Sequence, residues 1–353
     1  MSKINVGFIG CGKIASVRHI PEASRIDGVH IRGYFNRTKE KAEDMAKIYG
    51  GQVYNTYQEV LDDPEVDAVV ISVANILHGE ITIEALKKGK HVLCEKPMAT
   101  SLEESILMVE TAKETGKVLD IAHNQRLNPI HQEAKRLLKE GTIGKVLNFR
   151  TTFGHSGPEE WSSTPGKDVW FFYEDAAGMG AMADLGVHKA DLISYLLDEN
   201  VIEVTAMMDT LDKKGPSGQL IKVDDNAMAI FKMSDGVMGT MTASWTYYGA
   251  KDNSTIIYGT QGTMVINDDP NQPLKVIDKN GETRLYEVEV PLDNNDKKES
   301  GVVSLFIEGI LSGEETILSG RRILPAMRTI FACEESDLEQ KRILIPENKR
   351  EEI

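Results

Sequence analysis

The apolar stretch Ile4-Asn5-Val6-Gly7-Phe8-Ile9 breaks at Gly10-Cys11-Gly12-Lys13-Ile14-Ala15. A buried strand that ends in a glycine-punctuated turn and restarts as a helix admits few folds, because it builds a site for a dinucleotide pyrophosphate. Gly10 permits the tight turn, Gly12 lets phosphate oxygens approach where a Cβ would block them, and Ala15 lets the helix pack closely on the strand. Lys13 and Ile14 fall at the start of that helix, whose unpaired N–H groups and positive dipole end favour anions. Gly10, Gly12, Lys13 and Ile14 are therefore candidate cofactor contacts.

Through residue 122 short β-branched runs alternate with amphipathic stretches, the pattern of helices covering both faces of a parallel sheet. Strands are expected at Val29 to Phe35, Asp67 to Val73, His91 to Cys94 and Val118 to Ala122, with helices at Lys39 to Tyr49, Tyr57 to Leu61, Gly79 to Lys88 and Leu102 to Thr115. From residue 123 the grammar changes. A helix over Ile130 to Glu140, a strand over Lys145 to Phe153, an irregular stretch and a helix from about Gly180 to Leu197 precede a series of strands between Val201 and Val290. These strands alternate as in an antiparallel or mixed sheet. Two helices, about Val302 to Leu311 and Arg321 to Glu335, close the chain, and Asn294 to Ser300 reads as a solvated loop. The expected architecture is α/β: a Rossmann dinucleotide-binding domain over 1–122, then an α+β domain over 123–353 with an open, mostly antiparallel sheet.

The net charge of −15 argues against a nucleic-acid partner, since a phosphate backbone needs clustered Lys and Arg. There is no signal-peptide-like apolar region at the N-terminus and no apolar run approaching the roughly 20 residues of a membrane span, so a cytosolic, membrane-free protein is expected. Cys11, Cys94 and Cys333 are too far apart for a disulfide framework or a zinc knuckle, and no metal site is expected.

Three further groups of residues could do chemistry. The second strand ends in Asn36-Arg37-Thr38 with Lys41 one turn on, where an NAD-using protein would usually carry a carboxylate. Arg37 and Lys41 suit a 2′-phosphate and favour NADP, although both also read as surface cations and Asn36 could hold a plain ribose. Glu95-Lys96-Pro97 directly follows a strand at the edge where open α/β sheets bind ligands, which places Lys96 to donate to a substrate oxygen and makes Pro97 a candidate cis proline. Asp184 and His188, four residues apart on one helix face, make a carboxylate–imidazole pair suited to taking a proton from an alcohol near neutral pH.

Gly10 to Ala15, Val73-Ala74-Asn75 with His78, Gly89-Lys90-His91-Val92-Leu93-Cys94-Glu95-Lys96-Pro97, and Asp184-Leu185-Gly186-Val187-His188 occur here in one order. In that combination the chain resembles the Gfo/Idh/MocA family, the glucose-fructose oxidoreductase and inositol dehydrogenase group, over nearly its whole length. The resemblance implies that Lys96 contacts substrate and nicotinamide, that His188 transfers the proton with Asp184 as its partner, and that Ser72, Val73, Asn75, His78 and Glu95 lie along the cofactor. By the same resemblance Asn124 and Arg126 face substrate or cofactor, and the open sheet serves a homodimer or homotetramer. The implied reaction is reversible hydride transfer between NAD or NADP and a secondary hydroxyl of a sugar, cyclitol or related polyol. Alternatives are a non-catalytic regulator that senses cofactor or sugar, and a reductase of dihydrodiol-like substrates. Trp161 and Trp170, with His155 and Tyr173 in the stretch from Phe153 to Asp175, either stack on a sugar ring or anchor the loop.

Overall fold

A computed structural model describes residues 3–162, 165–288 and 300–346. Six strands form the first sheet: β1 (Ile4–Ile9), β2 (Val29–Phe35), β3 (Gln52–Val53), β4 (Ala68–Ile71), β5 (His91–Cys94) and β6 (Leu119–Ile121). All pair in parallel in the order β3-β2-β1-β4-β5-β6, which reverses direction between β1 and β4 and so creates a ligand-binding crevice at their carboxyl ends. Helices Lys39–Tyr49, Tyr57–Asp62, His78–Lys87 and Leu102–Thr115 connect the strands. Because helices cover both faces, β4 consists entirely of buried apolar residues rather than alternating ones. β3 has only two residues, too few to carry a periodic signal, and no sequence pattern marks it.

The second sheet contains β7 (Val146–Gly154), β8 (Val201–Asp209), β9 (Asn226–Met233), β10 (Met238–Ser244), β11 (Thr255–Gly259), β12 (Gly262–Ile266), β13 (Leu274–Asp278), β14 (Thr283–Leu285) and β15 (Ile343–Leu344). Its order is β14-β13-β12-β11-β7-β10-β9-β8-β15, and every pairing is antiparallel except β7 with β10. Helices Pro129–Lys139, Val187–Leu197 and Gly320–Glu339 complete the major elements. On β9 the alternation is strict: Ala227, Ala229, Phe231 and Met233 are buried, while Met228, Ile230 and Lys232 are exposed.

The chain divides into two compact units, the first ending at Asn124 and the second beginning at Gln125. The described residues from 300 to 324 belong to the first unit, whereas the expected division placed everything after residue 122 in one domain. Burial explains the return. Helix Val302–Ser312 carries buried Val302, Val303, Phe306 and Ile307, and the buried Glu22 carboxylate receives the amides of Ser300 (3.1 Å) and Ser304 (3.0 Å) at its start. Thr316 donates to Asp120 Oδ1 at 2.7 Å, and the Ile121 amide donates to the Leu318 carbonyl at 2.8 Å. The expected strand over Arg284 to Val290 is realised as Thr283–Leu285, and its last two residues lie outside the described ones, as does all but Ser300 of the expected loop from Asn294 to Ser300.

Candidate active site

Every expected cofactor contact lies beyond the carboxyl end of β1, β2, β4 or β5, either in the connecting loop or in the first turn of the helix that follows. Gly10 has φ +102°, and a Cβ there would stand 2.3 Å from the Ser72 carbonyl oxygen, so the close approach of the segments that leave β1 and β4 requires glycine. Gly12 is the opposite case, since nothing lies within 4 Å of the position its Cβ would take. A helix begins at residue 13 and passes through a π-helical turn, Ala15–His19. An open cradle at Gly12 followed by a helix start fits a bound pyrophosphate, with Lys13 and Ile14 contributing backbone N–H groups.

The polar side chains of this edge fasten its loops to each other. Ser72 Oγ donates to the Gly10 carbonyl at 3.0 Å. Asn36 Oδ1 accepts from the Cys11 amide at 2.9 Å, and its Nδ2 donates to the Thr38 carbonyl at 2.8 Å, which joins the phosphate loop to the end of β2. The His78 ring nitrogens lie 2.7 Å from the Pro97 carbonyl oxygen and 3.2 Å from that of Val73. Burial pulls the His78 pKa down against both bonds, so the ring is neutral at pH 7 and donates a single N–H. Asn75, also buried, opens the short turn Asn75–Leu77 that leads into His78.

Glu95 and His19 form a link that no motif predicts. His19, at the end of the π-helical turn, places Nε2 2.7 Å from Glu95 Oε1, and Glu95 Oε2 accepts from the Lys96 amide at 3.1 Å. Burial pushes the Glu95 carboxyl up, but the His19 bond, the charges of His19 and Lys96, and the Lys96 amide outweigh it and hold the carboxyl below its usual range. The Lys96–Pro97 peptide bond is cis. Lys96 thus follows β5 from a backbone that is bonded on both sides.

In the second unit, Asp184 and His188 lie where the π-helical turn Met182–Gly186 runs into helix Val187–Leu197, and both are buried. The start of this segment is fastened by Asp224, whose Oδ1 and Oδ2 accept from the amides of Gly180 (2.6 Å) and Met182 (2.7 Å). Burial raises the Asp224 carboxyl to about 6, and the two amides pull it back. Gly180 is obligatory, because a Cβ would lie 1.9 Å from the Asp224 carbonyl oxygen. Asp184 Oδ2 accepts from Trp245 Nε1 at 3.0 Å. Lys189, fully buried beside His188, donates to the Asn253 carbonyl at 3.0 Å, and burial pulls its pKa down to about 7.

Arg126 was expected to face substrate or cofactor; its guanidinium meets Asp191, one turn beyond His188 on the same helix, with Nε 2.9 Å from Oδ2 and Nη2 2.6 Å from Oδ1. Both partners are buried, so this pair ties the turn Asn124–Leu127 to the helix bearing His188. Asn124 opens that turn with partial exposure.

Trp161 and Trp170 belong to one run of rings. His188 lies 5.9 Å from Phe153, Phe153 lies 5.9 Å from His155, and His155 lies 6.2 Å from Trp161, all centroid to centroid. Trp161 continues to Phe171 at 5.1 Å, and Phe171 stacks on Trp170 at 3.8 Å. The loop is therefore anchored by mutual ring packing, with Trp161 still 40% exposed. Among the described residues no group of three or more His, Cys, Asp or Glu side chains is placed to hold a metal ion, and no helix is long and apolar enough to cross a membrane.

Residues 4–123 match the family profile described as oxidoreductase family, NAD-binding Rossmann fold, and residues 131–265 match the GFO/IDH/MocA C-terminal domain. Levoglucosan dehydrogenase of Pseudarthrobacter phenanthrenivorans is 30% identical over 303 residues, which cover 78% of this chain and 76% of that protein. Myo-inositol 2-dehydrogenase of Thermotoga maritima is 25% identical over 342 residues, 96% of this chain and 97% of that one. The solved complex of levoglucosan dehydrogenase with NADH and levoglucosan shares the fold, with a TM-score of 0.87 over 98% of this chain and 100% of the other at 24% identity. Matched in both of its halves and over most of a 30%-identical dehydrogenase, this chain belongs to the Gfo/Idh/MocA family of NAD-binding Rossmann oxidoreductases.

Proposed function

We propose that the protein interconverts a secondary hydroxyl and a ketone on a sugar, cyclitol or related polyol, using NADP(H) in preference to NAD(H). The observation that carries this reading is the common position of the Gly10–Gly12 cradle and Lys96 at the carboxyl edge of one parallel sheet, beside its switch point. The dinucleotide, when bound, supplies or takes the hydride. Gly10, Gly12, Lys13 and Ile14 hold its pyrophosphate, and Ser72, Val73, Asn75, His78 and Glu95 lie along the dinucleotide, with Ser72, His78 and Glu95 also bonding backbone groups nearby. Lys96 donates to the substrate oxygen and stabilises the negative charge that develops on it. His188 accepts the hydroxyl proton as the carbonyl forms and returns it in the reverse direction, while Asp184 holds the imidazole in a useful orientation. Asn124, Trp161 and Trp170 contribute to substrate recognition, with the tryptophan faces packing on C–H surfaces of the ring.

The preference for NADP rests on Arg37 and Lys41 at the end of β2, where the Asn36 side chain is already engaged by Cys11 and Thr38. Burial raises the Cys11 thiol to about 12 and the Lys41 charge pulls it back, so that charge reaches the phosphate loop. Exposed Met207, Met228, Ile230 and Met238 on one face of the second sheet support a homo-oligomer, which a monomeric mass in light scattering would rule out. The three buried thiols, none in a disulfide, suit a reducing cytosol.

The test is steady-state turnover over a panel of sugars, inositols and sugar acids with each nucleotide. Lys96→Ala and His188→Ala should each lower kcat about 10²- to 10⁴-fold while nucleotide affinity moves little. Unaltered kcat in both variants removes the mechanism. Tight nucleotide binding without turnover of any polyol favours the regulator instead.

A further inference from the structure

Trp245 follows β10, is fully buried, and belongs to none of the motifs that mark the site. Its indole Nε1 donates to Asp184 Oδ2 at 3.0 Å, and its amide donates to the Asp225 carbonyl at 2.8 Å, so side chain and backbone are both held. The ring also packs on the aromatic turn, 5.9 Å from Phe172 at 45° and 6.5 Å from Phe171 at 87°. An indole N–H can donate but never accept, so it suits a carboxylate oxygen and holds it against rotation.

We propose that Trp245 is a positioning residue for the reaction: its N–H fixes the orientation of Asp184, and its ring joins that carboxylate to the aromatic turn Trp170–Phe172. This rests on the catalytic reading of Asp184 and His188 given above. A tryptophan that merely fills the core would satisfy its N–H on any acceptor and tolerate its loss wherever packing is kept. A positioning tryptophan would not. The two roles separate in Trp245→Phe, which keeps an aromatic ring and removes the donor, compared with Trp245→Leu, which removes both.

For Trp245→Phe the expected result is a fall in kcat of about tenfold, the scale of one lost hydrogen bond to a charged group, with nucleotide KM within about twofold of wild type. Trp245→Leu should lose more, and should raise substrate KM as the aromatic turn loosens. A wild-type kcat in a folded Trp245→Phe protein overturns the proposal. Should that variant fail to fold, the side-chain N–H signals of the three tryptophans in an amide-correlation NMR spectrum decide the matter in the wild-type and Asp184→Asn proteins. Asp184→Asn should move the signal of the buried, slowly exchanging Trp245, and an unmoved signal overturns the proposal. Turnover of Asp184→Asn distinguishes the two failures. If Asp184→Asn keeps its turnover, the catalytic reading of Asp184 fails; if it is inactive while Trp245→Phe is normal, only the positioning role of Trp245 fails.

Discussion

At the carboxyl edge of the first sheet, polar side chains bond mostly to backbone groups of the adjoining loops, whereas in the second unit bonds from distant residues hold helix Val187–Leu197 and the Asp184 carboxylate proposed for proton transfer. Ser72, Asn36, His78 and Glu95 each bond a neighbouring loop, and Gly10 and Gly12 leave the backbone as the surface that a nucleotide meets. In the second unit the bonds converge on the segment that bears Asp184 and His188: Trp245 on Asp184, Arg126 on Asp191, Asp224 on Gly180 and Met182. A backbone site needs glycines at set positions and tolerates varied neighbours. A side-chain site needs specific donors supplied from distant segments.

The sharpest way to break this contrast is at Arg126. Arg126→Met leaves Asp191 buried without its partner, and we expect a loss of about 3–5 kcal/mol in denaturant-unfolding stability, much of it recovered in the Arg126→Met, Asp191→Leu double variant. If stability is unchanged and only substrate KM rises, Arg126 serves the substrate directly, as the sequence suggested, and the contrast weakens. Next in size is Gly12→Val. Open space surrounds this position, so the melting temperature should hold, while nucleotide KM rises about a hundredfold as the side chain enters the phosphate cradle. A fall in melting temperature with unchanged KM would show that Gly12 serves packing.

The smallest effect concerns Asp120 on β6. Burial raises its carboxyl to about 6, opposed by the Thr316 hydrogen bond and reinforced by the Glu315 charge. A folded-state pKa above the unfolded value means that this group's stabilisation is complete below about pH 4 and is lost as pH rises through about 6. Asp120→Asn keeps an oxygen for Thr316 and removes the titration, so the variant should gain about 2 kcal/mol over wild type at pH 8 and nothing at pH 4. Parallel stability curves across that range would contradict the assignment.

Much of the first unit was legible because its signals are local. Val29–Phe35, His91–Cys94 and Leu102–Thr115 stand where hydrophobic period and flanking glycines put them, and Gly10 to Ala15 marks the nucleotide loop through backbone geometry alone. Lys96, Asp184 and His188, whose catalytic roles are proposed above, were picked out because each sits inside a short pattern. The partners that hold them were not. His19 is 76 residues from Glu95, Arg126 is 65 from Asp191 and Trp245 is 61 from Asp184, distances at which no spacing rule operates. The π-helical turn Met182–Gly186 was likewise read as plain helix, because a one-residue widening leaves the hydrophobic pattern intact.

Local sequence was enough for a parallel nucleotide-binding sheet, a second sheet of another kind and the residues proposed for proton transfer, because periodicity and glycine placement act over a few residues. The packing of residues 300–324 with the first unit, and the indole, guanidinium and carboxylate that hold the segment bearing Asp184 and His188, came from the completed fold alone. Burial creates those pairings: a polar group removed from water must find whichever partner the completed fold brings within reach.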